Sequence, residues 1–199
     1  MSTDDAAELI SEFKKFVPDY CRIQRIQRDV PTKFWDGGVG ITNLRQHIHE
    51  KFKPSCRCIR CREPKGRKVD WASVKILSKE YEASKGFEVF ISAEDTKNDL
   101  ILGFCRLRKP SQLLRKEITE KTAIIRELHV YGSALAVGEE SESKVQHKGL
   151  GKKLLTEAEK IAIEKFSANK MIVISGVGVR AYYKKFGYVN DGPYVSKKL

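Results

Sequence analysis

The run Gln146-His147-Lys148-Gly149-Leu150-Gly151 decides the fold of this 199-residue chain. A strand-like segment lies upstream, and a helix-like one, 150–166, opens within it. Two glycines let the backbone turn tightly and approach a ligand with no Cβ in the way. The start of a helix adds unpaired N–H groups and the positive end of its dipole. Together these make an anion cradle suited to a pyrophosphate. Lys148, Lys152 and Lys153 add positive charge. The spacing is neither the Gly-x-Gly-x-x-Gly of dinucleotide folds nor a P-loop, which needs Gly-Lys-Ser/Thr at its end.

Working outward, residues 72–82 and 86–93 read as strands joined by a hairpin at Ala83-Ser84-Lys85-Gly86, and 100–108 reads as a third. Residues 123–131 make a fourth. On strict alternation Ile125, Glu127, His129 and Tyr131 share one of its faces, and Arg126, Leu128 and Val130 share the other. After the glycine loop, Leu150, Leu154, Leu155, Ala158, Ile161, Ala162 and Phe166 form a helical stripe. A buried strand follows at 170–175, then a short helix at 179–186 carrying Arg180, Tyr182 and Tyr183. Strands near 188–190 and 193–198 finish the chain. The pattern predicts a mixed α/β sheet with helices on its faces. Its ligand crevice lies where neighbouring strands diverge beside the glycine loop.

The first 70 residues have a different texture. Residues 8–17 predict a short amphipathic helix with apolar positions 9, 10, 13, 16 and 17. Residues 21–28, rich in arginine, predict an extended basic segment. A helix over 43–52 presents Leu44, Ile48 and Phe52 on one face. A loop then holds Cys56, Cys58 and Cys61. Three thiolates this close suit a structural zinc ion, which takes four tetrahedral ligands. His47, His49, Cys21 and Cys105 are the candidates for the fourth. The total of five cysteines, an odd number, argues against a disulfide scaffold.

The formal net charge of +12 points to a polyanionic partner, nucleic acid first. Tyr20 and Trp35 are candidate stacking surfaces. No stretch approaches the roughly 20 apolar residues of a membrane span, and the first residues resemble no signal peptide. A soluble intracellular protein, cytoplasmic and without a membrane partner, is expected.

The Gln-x-x-Gly-x-Gly order resembles the acetyl-CoA loop of the GNAT (acyl-CoA N-acyltransferase) superfamily. The stretches Arg126-Glu-Leu-His-Val-Tyr-Gly132, Ile174-Ser-Gly-Val-Gly-Val-Arg180, Tyr182-Tyr-Lys-Lys-Phe-Gly-Tyr188 and Gly192-Pro-Tyr194 narrow the match. They resemble the acetyltransferase domain of the Elongator catalytic subunit family. Arg25-Ile-Gln-Arg-Asp-Val-Pro31, Asn43-Leu-Arg45 and Cys56-Arg-Cys-Ile-Arg-Cys-Arg-Glu63 resemble the segment that precedes that domain in the family. The resemblance implies two parts. Residues 1–70 form a basic, zinc-stiffened tRNA-binding region with the cysteine cluster, and 71–199 form a GNAT domain. It also implies acetyl-CoA as cofactor and tRNA as partner, with other Elongator-type subunits or a separate radical S-adenosylmethionine protein beside them. The family's enzyme modifies wobble uridine using a radical S-adenosylmethionine domain, which these residues do not contain.

Acetyl transfer needs a held carbonyl, a base for the acceptor and an acid for the thiolate. By the resemblance, the backbone of Leu128, His129 and Val130 runs beside the pantetheine arm, and Glu127 occupies a position used for the catalytic base. His129 is a second base candidate. Tyr183 donates to the sulfur while Tyr182 borders the coenzyme, or the two exchange roles. The coenzyme set is then Glu127, Leu128, His129, Val130, Gln146, His147, Lys148, Gly149, Leu150, Gly151, Lys152 and Tyr182. Two other functions fit the same residues. One is a protein lysine acetyltransferase drawing basic tails to the acidic stretch 138–142. The other is a non-catalytic tRNA- or coenzyme-binding module.

Overall fold

Seven strands in the order β1-β2-β3-β4-β5-β7-β6 form one sheet. The computed structural model describes residues 1–28, 33, 37–132 and 149–199, and the chain packs as two units, Met1–Glu63 and Pro64–Leu199.

The sheet belongs to the second unit. Strands β1 (Val74–Ala83), β2 (Gly86–Asp95), β3 (Leu100–Lys109) and β4 (Thr122–Val130) form an antiparallel meander. Strand β5 (Lys170–Val173) pairs parallel to β4. Parallel neighbours need a crossover, which here contains the helix Leu150–Phe166. Strands β6 (Val189–Asp191) and β7 (Tyr194–Lys198) close the edge. The crossover helix buries the predicted stripe Leu150, Leu154, Leu155, Ala158, Ile161 and Ala162 against Val89, Ile91, Leu102, Cys105, Leu107, Ile125 and Val173. Each buried leucine, isoleucine or valine among them contributes roughly 1.5–3 kcal/mol. The short helix Arg180–Lys184 follows a 3-10 turn at Val177–Val179, so the expected helix over 179–186 is shorter than its sequence pattern.

Asp95 pins the meander. Its buried carboxylate accepts from the backbone N–H of Asp70, Lys97 and Asn98 and from the side chains of Ser73 and Asn98. Burial alone would raise its pKa. The hydrogen bonds from Ser73 and Asn98 outweigh it and hold the carboxyl well below the usual range. A depressed folded pKa means stability that is complete above the unfolded value, about 4, and is lost as pH falls through the folded one. Asp95→Ala strands several donors and is expected to cost about 3 kcal/mol. Chemical denaturation at neutral pH measures it, and the variant should show a weaker dependence of stability on acid than the parent.

In the first unit α1 (Thr3–Lys14) begins with a capping box between Ser2 and Asp5. It starts earlier than its apolar pattern suggests and buries the opposite face. Ala6, Ala7, Ser11 and Lys14 are inside, while Leu9, Phe13 and Phe16 are 63%, 66% and 80% exposed. The reason is space: Ala7 packs against Leu44 and Ile48 of α2 (Leu44–Lys51), and small residues admit the close approach. Residues 21–25 have no regular secondary structure, and Ile26 and Gln27 form a bend. The cysteine segment is also not all loop, because Ile59–Arg62 forms the single helical turn α3.

Helices α4 (Leu150–Phe166) and α5 (Arg180–Lys184) belong to the second unit. Among the described residues no helix is long and apolar enough to cross a membrane.

Candidate acetyl-coenzyme A cleft and cysteine centre

Strands β4 and β5 part after the Ile125–Val173 pair, with one further bond from the Ile174 N–H to the Ile125 carbonyl. Beyond it β4 continues alone through Val130. The β3–β4 register pairs Gly103 with Val130, Phe104 with His129 and Cys105 with Leu128, and Tyr131 donates to the Leu102 carbonyl. In an antiparallel ladder bonded and non-bonded pairs alternate. His129 therefore turns its backbone toward β3. Leu128 and Val130 direct their N–H and C=O groups into the space that β5 has left. Of the three residues expected to line a pantetheine arm, these two present free edges.

The same register corrects the side-chain assignment. Arg106 pairs with Glu127 and Leu107 with Ile125, so Arg126 is the extra residue of a β-bulge. Ile125 faces α4, and so do Leu128 and Val130. Glu127 and His129 point to the other face with Arg106 and Phe104. Strict alternation fails at this one residue. The signal was legible: apolar positions shift from 123 and 125 to 128 and 130.

On that far face Glu127 accepts from Arg106 at 3.0 Å. Its side chain remains 46% exposed. Arg126 instead meets Glu88, a buried carboxylate that also accepts from Arg108 at 2.9 Å and Tyr81 at 2.7 Å. Burial disfavours the charged form of Glu88, but its hydrogen bonds with Tyr81, Arg126 and Arg108 bring its pKa below the ordinary value. Sequence reasoning missed this cluster because its members lie on four strands. The His129 ring stacks on Phe104 at 5.8 Å and meets Tyr131 edge-on at 4.5 Å. A cavity of about 330 Å³ opens where the strands part, between Arg126, Ile124, Ile174, Leu114 and Arg108.

On the α4 side Gly149 stands at the N-cap with φ +67°, a conformation that glycine adopts without penalty. Lys153 donates back to the Gly149 carbonyl. The N–H groups of Leu150, Gly151 and Lys152 therefore precede the first intrahelical bond. No acidic residue lies in this first turn, and Lys152 is exposed. A Cβ on Gly151 would stand 2.5 Å from the Tyr182 hydroxyl and 3.6 Å from Val130. The helix start, the free edge of β4 and Tyr182 thus converge. Gln146, His147, Lys148 and the acidic stretch 138–142 lie outside the described residues, as does Trp35.

The tyrosines separate. Tyr182 lies at the glycine turn and is partly exposed. Tyr183 is buried in the core beside Tyr188 and Tyr182. Burial first, then the neighbouring Cys105 and Tyr182, pushes the Tyr183 phenol up to about 12. Cys105 is the register partner of Leu128, so Tyr183 packs near the inner end of the cleft.

In the first unit the sulfur atoms of Cys56, Cys58 and Cys61 all lie within 4.8 Å of one another. Around a zinc ion with Zn–S near 2.3 Å, tetrahedral edges are roughly 3.8 Å, so the trio fits. His49 is the fourth-ligand candidate that this geometry favours, its Nε2 being 3.8 Å from the Cys61 sulfur. His47 instead meets Asp4 at 3.0 Å. Cys105 is fully buried in the sheet core. Cys61 hydrogen-bonds to Cys58, which lowers the Cys58 pKa and raises that of Cys61. Buried Lys14 reaches both His49, at 2.8 Å, and Cys61, at 3.7 Å. An ammonium there offsets the negative charge of clustered thiolates.

A helix start with free amides beside a splayed β4–β5 pair is the architecture of an acyl-coenzyme A transferase, and the chain belongs to the acetyltransferase (GNAT) family, whose pattern matches residues 45–188. Membership implies acetyl-CoA as acyl donor. The expected architecture is the one observed. More narrowly, the chain is similar to tRNA uridine(34) acetyltransferase of Methanocaldococcus jannaschii, 44% identical over 206 residues, or 98% of this chain and 38% of that protein. Elongator complex protein 3 of Saccharomyces cerevisiae is 42% identical over 208 residues, covering 100% of this chain and 37% of the yeast protein. The solved structure of the archaeal Methanocaldococcus infernus Elp3 with an N-terminal deletion superposes with a TM-score of 0.89 at 43% identity, covering 100% of this chain and 49% of that one. The chain thus spans less than two fifths of the length of these curated relatives.

Proposed function

We propose that this chain handles acetyl-CoA for wobble-uridine modification of tRNA, transferring or hydrolysing the acetyl group when RNA is bound. One observation carries the reading: the amide cradle and free β4 edge of an acetyl-CoA cleft occur in a chain that aligns almost end to end, at 44% identity, with a tRNA uridine(34) acetyltransferase. Elongator-type subunits, or a separate radical S-adenosylmethionine protein, are the partners this reading implies.

In this reading the diphosphate sits on the N–H groups of Leu150, Gly151 and Lys152, helped by Gln146, His147 and Lys148. The pantetheine arm lies along Leu128 and Val130 as an added strand. A cleft N–H from one of them holds the thioester oxygen, where negative charge grows as the acceptor attacks. Glu127, close to the mouth of the cleft, takes the proton from the acceptor or from water. His129, stacked on Phe104, is better placed to shape that mouth. Breaking the C–S bond leaves a thiolate, and Tyr183 donates to it. A phenol raised to about 12 is fully protonated at neutral pH, so the donor form is always present. Tyr182 borders the diphosphate. In the first unit Cys56, Cys58 and Cys61, with His49, would hold a zinc ion. Such a closed set ties chain segments together and leaves no open position for chemistry.

Thiol release from acetyl-CoA, measured with tRNA, with a lysine peptide and with neither, tests the assignment. RNA-stimulated release is expected. Peptide-dependent turnover would mean a protein acetyltransferase, and binding without turnover would mean a carrier module. Tyr183→Phe is expected to lower the RNA-stimulated rate by about 100-fold with acetyl-CoA affinity nearly intact. An unchanged rate removes that tyrosine from the mechanism.

A further inference from the structure

A second cavity, of about 350 Å³, lies wholly within the first unit and is walled by arginine. Arg22, Arg25, Arg45 and Arg60 line it, with Gln27 and Asn43. Glu63 meets both Arg22 and Arg60. The described lining itself carries four arginines and no carboxylate.

Three buried polar atoms of this lining have no hydrogen-bond partner: Arg45 Nη1, Arg60 Nε and Gln27 Oε1. Buried polar groups are nearly always paired, and each orphan costs about 1–3 kcal/mol. The other ends of these side chains are fixed. Arg45 Nη2 donates to the Ile23 carbonyl at 2.7 Å, and Gln27 Nε2 donates to the Ile41 carbonyl at 2.7 Å. The arginine and glutamine planes are thus preset, with unsatisfied atoms left over. The start of α2 adds to them. Asn43 caps it without a side-chain hydrogen bond, and no acidic residue lies in its first turn.

Two of the orphans are cationic donors, and the third is a neutral acceptor. Donors of this kind match a phosphate, for which arginine is well shaped. An acceptor beside them matches a hydroxyl. A phosphate with a neighbouring hydroxyl is the repeating unit of the RNA backbone, whose 2′-OH DNA lacks.

We propose that this arginine-walled cavity is a binding site for one ribose-phosphate unit of RNA, with Arg45 and Arg60 on the phosphate and Gln27 on the 2′-hydroxyl. The proposal rests on the RNA-linked reading above and places one contact of that RNA. The contact positions the RNA and reads no sequence.

Binding of an unmodified tRNA transcript to the intact chain, followed between about 50 and 200 mM salt, tests it. Arg60→Gln is expected to weaken binding several-fold and to lower the slope of log affinity against log salt by about 0.7–0.9, the share of one phosphate. Thr42→Glu is the second variant. Thr42 is an exposed residue of the cavity wall, so a carboxylate there should repel the phosphate without touching the core. Both variants are expected to keep the far-ultraviolet circular dichroism and the unfolding profile of the parent, which confirms the fold of the first unit. The parent is expected to prefer the transcript to DNA of the same sequence. If it binds the transcript but both variants keep its affinity and salt slope, the cavity is not the site while the RNA reading stands. If the parent binds no tRNA, the RNA reading itself falls. Equal affinity for RNA and DNA removes the hydroxyl contact.

Discussion

Gly151→Val is expected to weaken acetyl-CoA binding at least 100-fold while leaving the far-ultraviolet circular dichroism unchanged. The first atom added to Gly151 would stand 2.5 Å from the Tyr182 hydroxyl and 3.6 Å from Val130. A branched side chain would therefore push the helix start, the tyrosine and the free edge of β4 apart, and these are the three walls that meet at the cradle. Losing two charge-assisted hydrogen bonds to a diphosphate, each about 1.5–3 kcal/mol, accounts for the factor. The tighter test is a rescue. Gly151→Ala should bind weakly alone and recover when combined with Tyr182→Phe. Removing the hydroxyl leaves the ring carbon at 3.5 Å as the nearest tyrosine atom, an ordinary contact. Titration calorimetry reads both. If Gly151→Val binds acetyl-CoA as the parent does, the coenzyme lies elsewhere and the cleft assignment is lost.

The other large effect concerns the cysteine centre. A strong chelator, or Cys58→Ser, is expected to unfold the first unit and leave the sheet unit folded. The argument is one of size. Among the described residues, the hydrophobic cluster where α1 meets α2 has only Ala7, Leu44 and Ile48 fully buried, with Ile10, Ile26, Val39, Ile41 and Phe52 around them. A unit this small seldom holds together on its core alone. A structural zinc held by the three thiols would supply the missing free energy, on the order of 10 kcal/mol in small zinc modules. Loss of the helical signal from the first unit, with acetyl-CoA binding retained by the second, is the expected pattern. Zinc content after purification provides the direct check. A metal-free chain with unchanged unfolding would leave Cys56, Cys58 and Cys61 as ordinary reduced thiols.

These two effects arise from different kinds of information. The glycine turn at Gly149 and the helix that starts behind it were legible in the sequence, because a tight turn and a helix start are local events. The α4 stripe was legible for the same reason, and its bounds, 150–166, coincide with the helix. The cysteine trio was equally local. The candidate fourth ligand is not: His49 comes from a different helix, and His47, its neighbour in the pattern, is drawn off by Asp4 of α1. Sequence spacing places both imidazoles within reach and leaves the choice to packing.

Helix faces and strand faces show the division most sharply. The apolar positions of α1 marked Leu9, Phe13 and Phe16 as its inner side, but the small face bearing Ala7 packs against α2. Periodicity says which residues share a face, and only a partner's shape says which face is covered. In β4 the phase slip at Arg126 carries Glu127 and His129 to one side of the sheet and leaves Leu128 and Val130 on the other. Its trace is in the sequence. The hydrogen-bond register that frees the Leu128 and Val130 amides is not, since it depends on where β3 lies and where β5 stops. By itself the sequence determined the order of strands and helices in the sheet unit, the glycine turn that opens α4 and the thiol cluster, because each follows from short-range chemistry. Tertiary structure alone decided that Glu127 meets Arg106, that Arg126 meets Glu88 and that four arginines enclose one cavity. Those contacts join segments distant in the chain, and only their packing sets the distances between them.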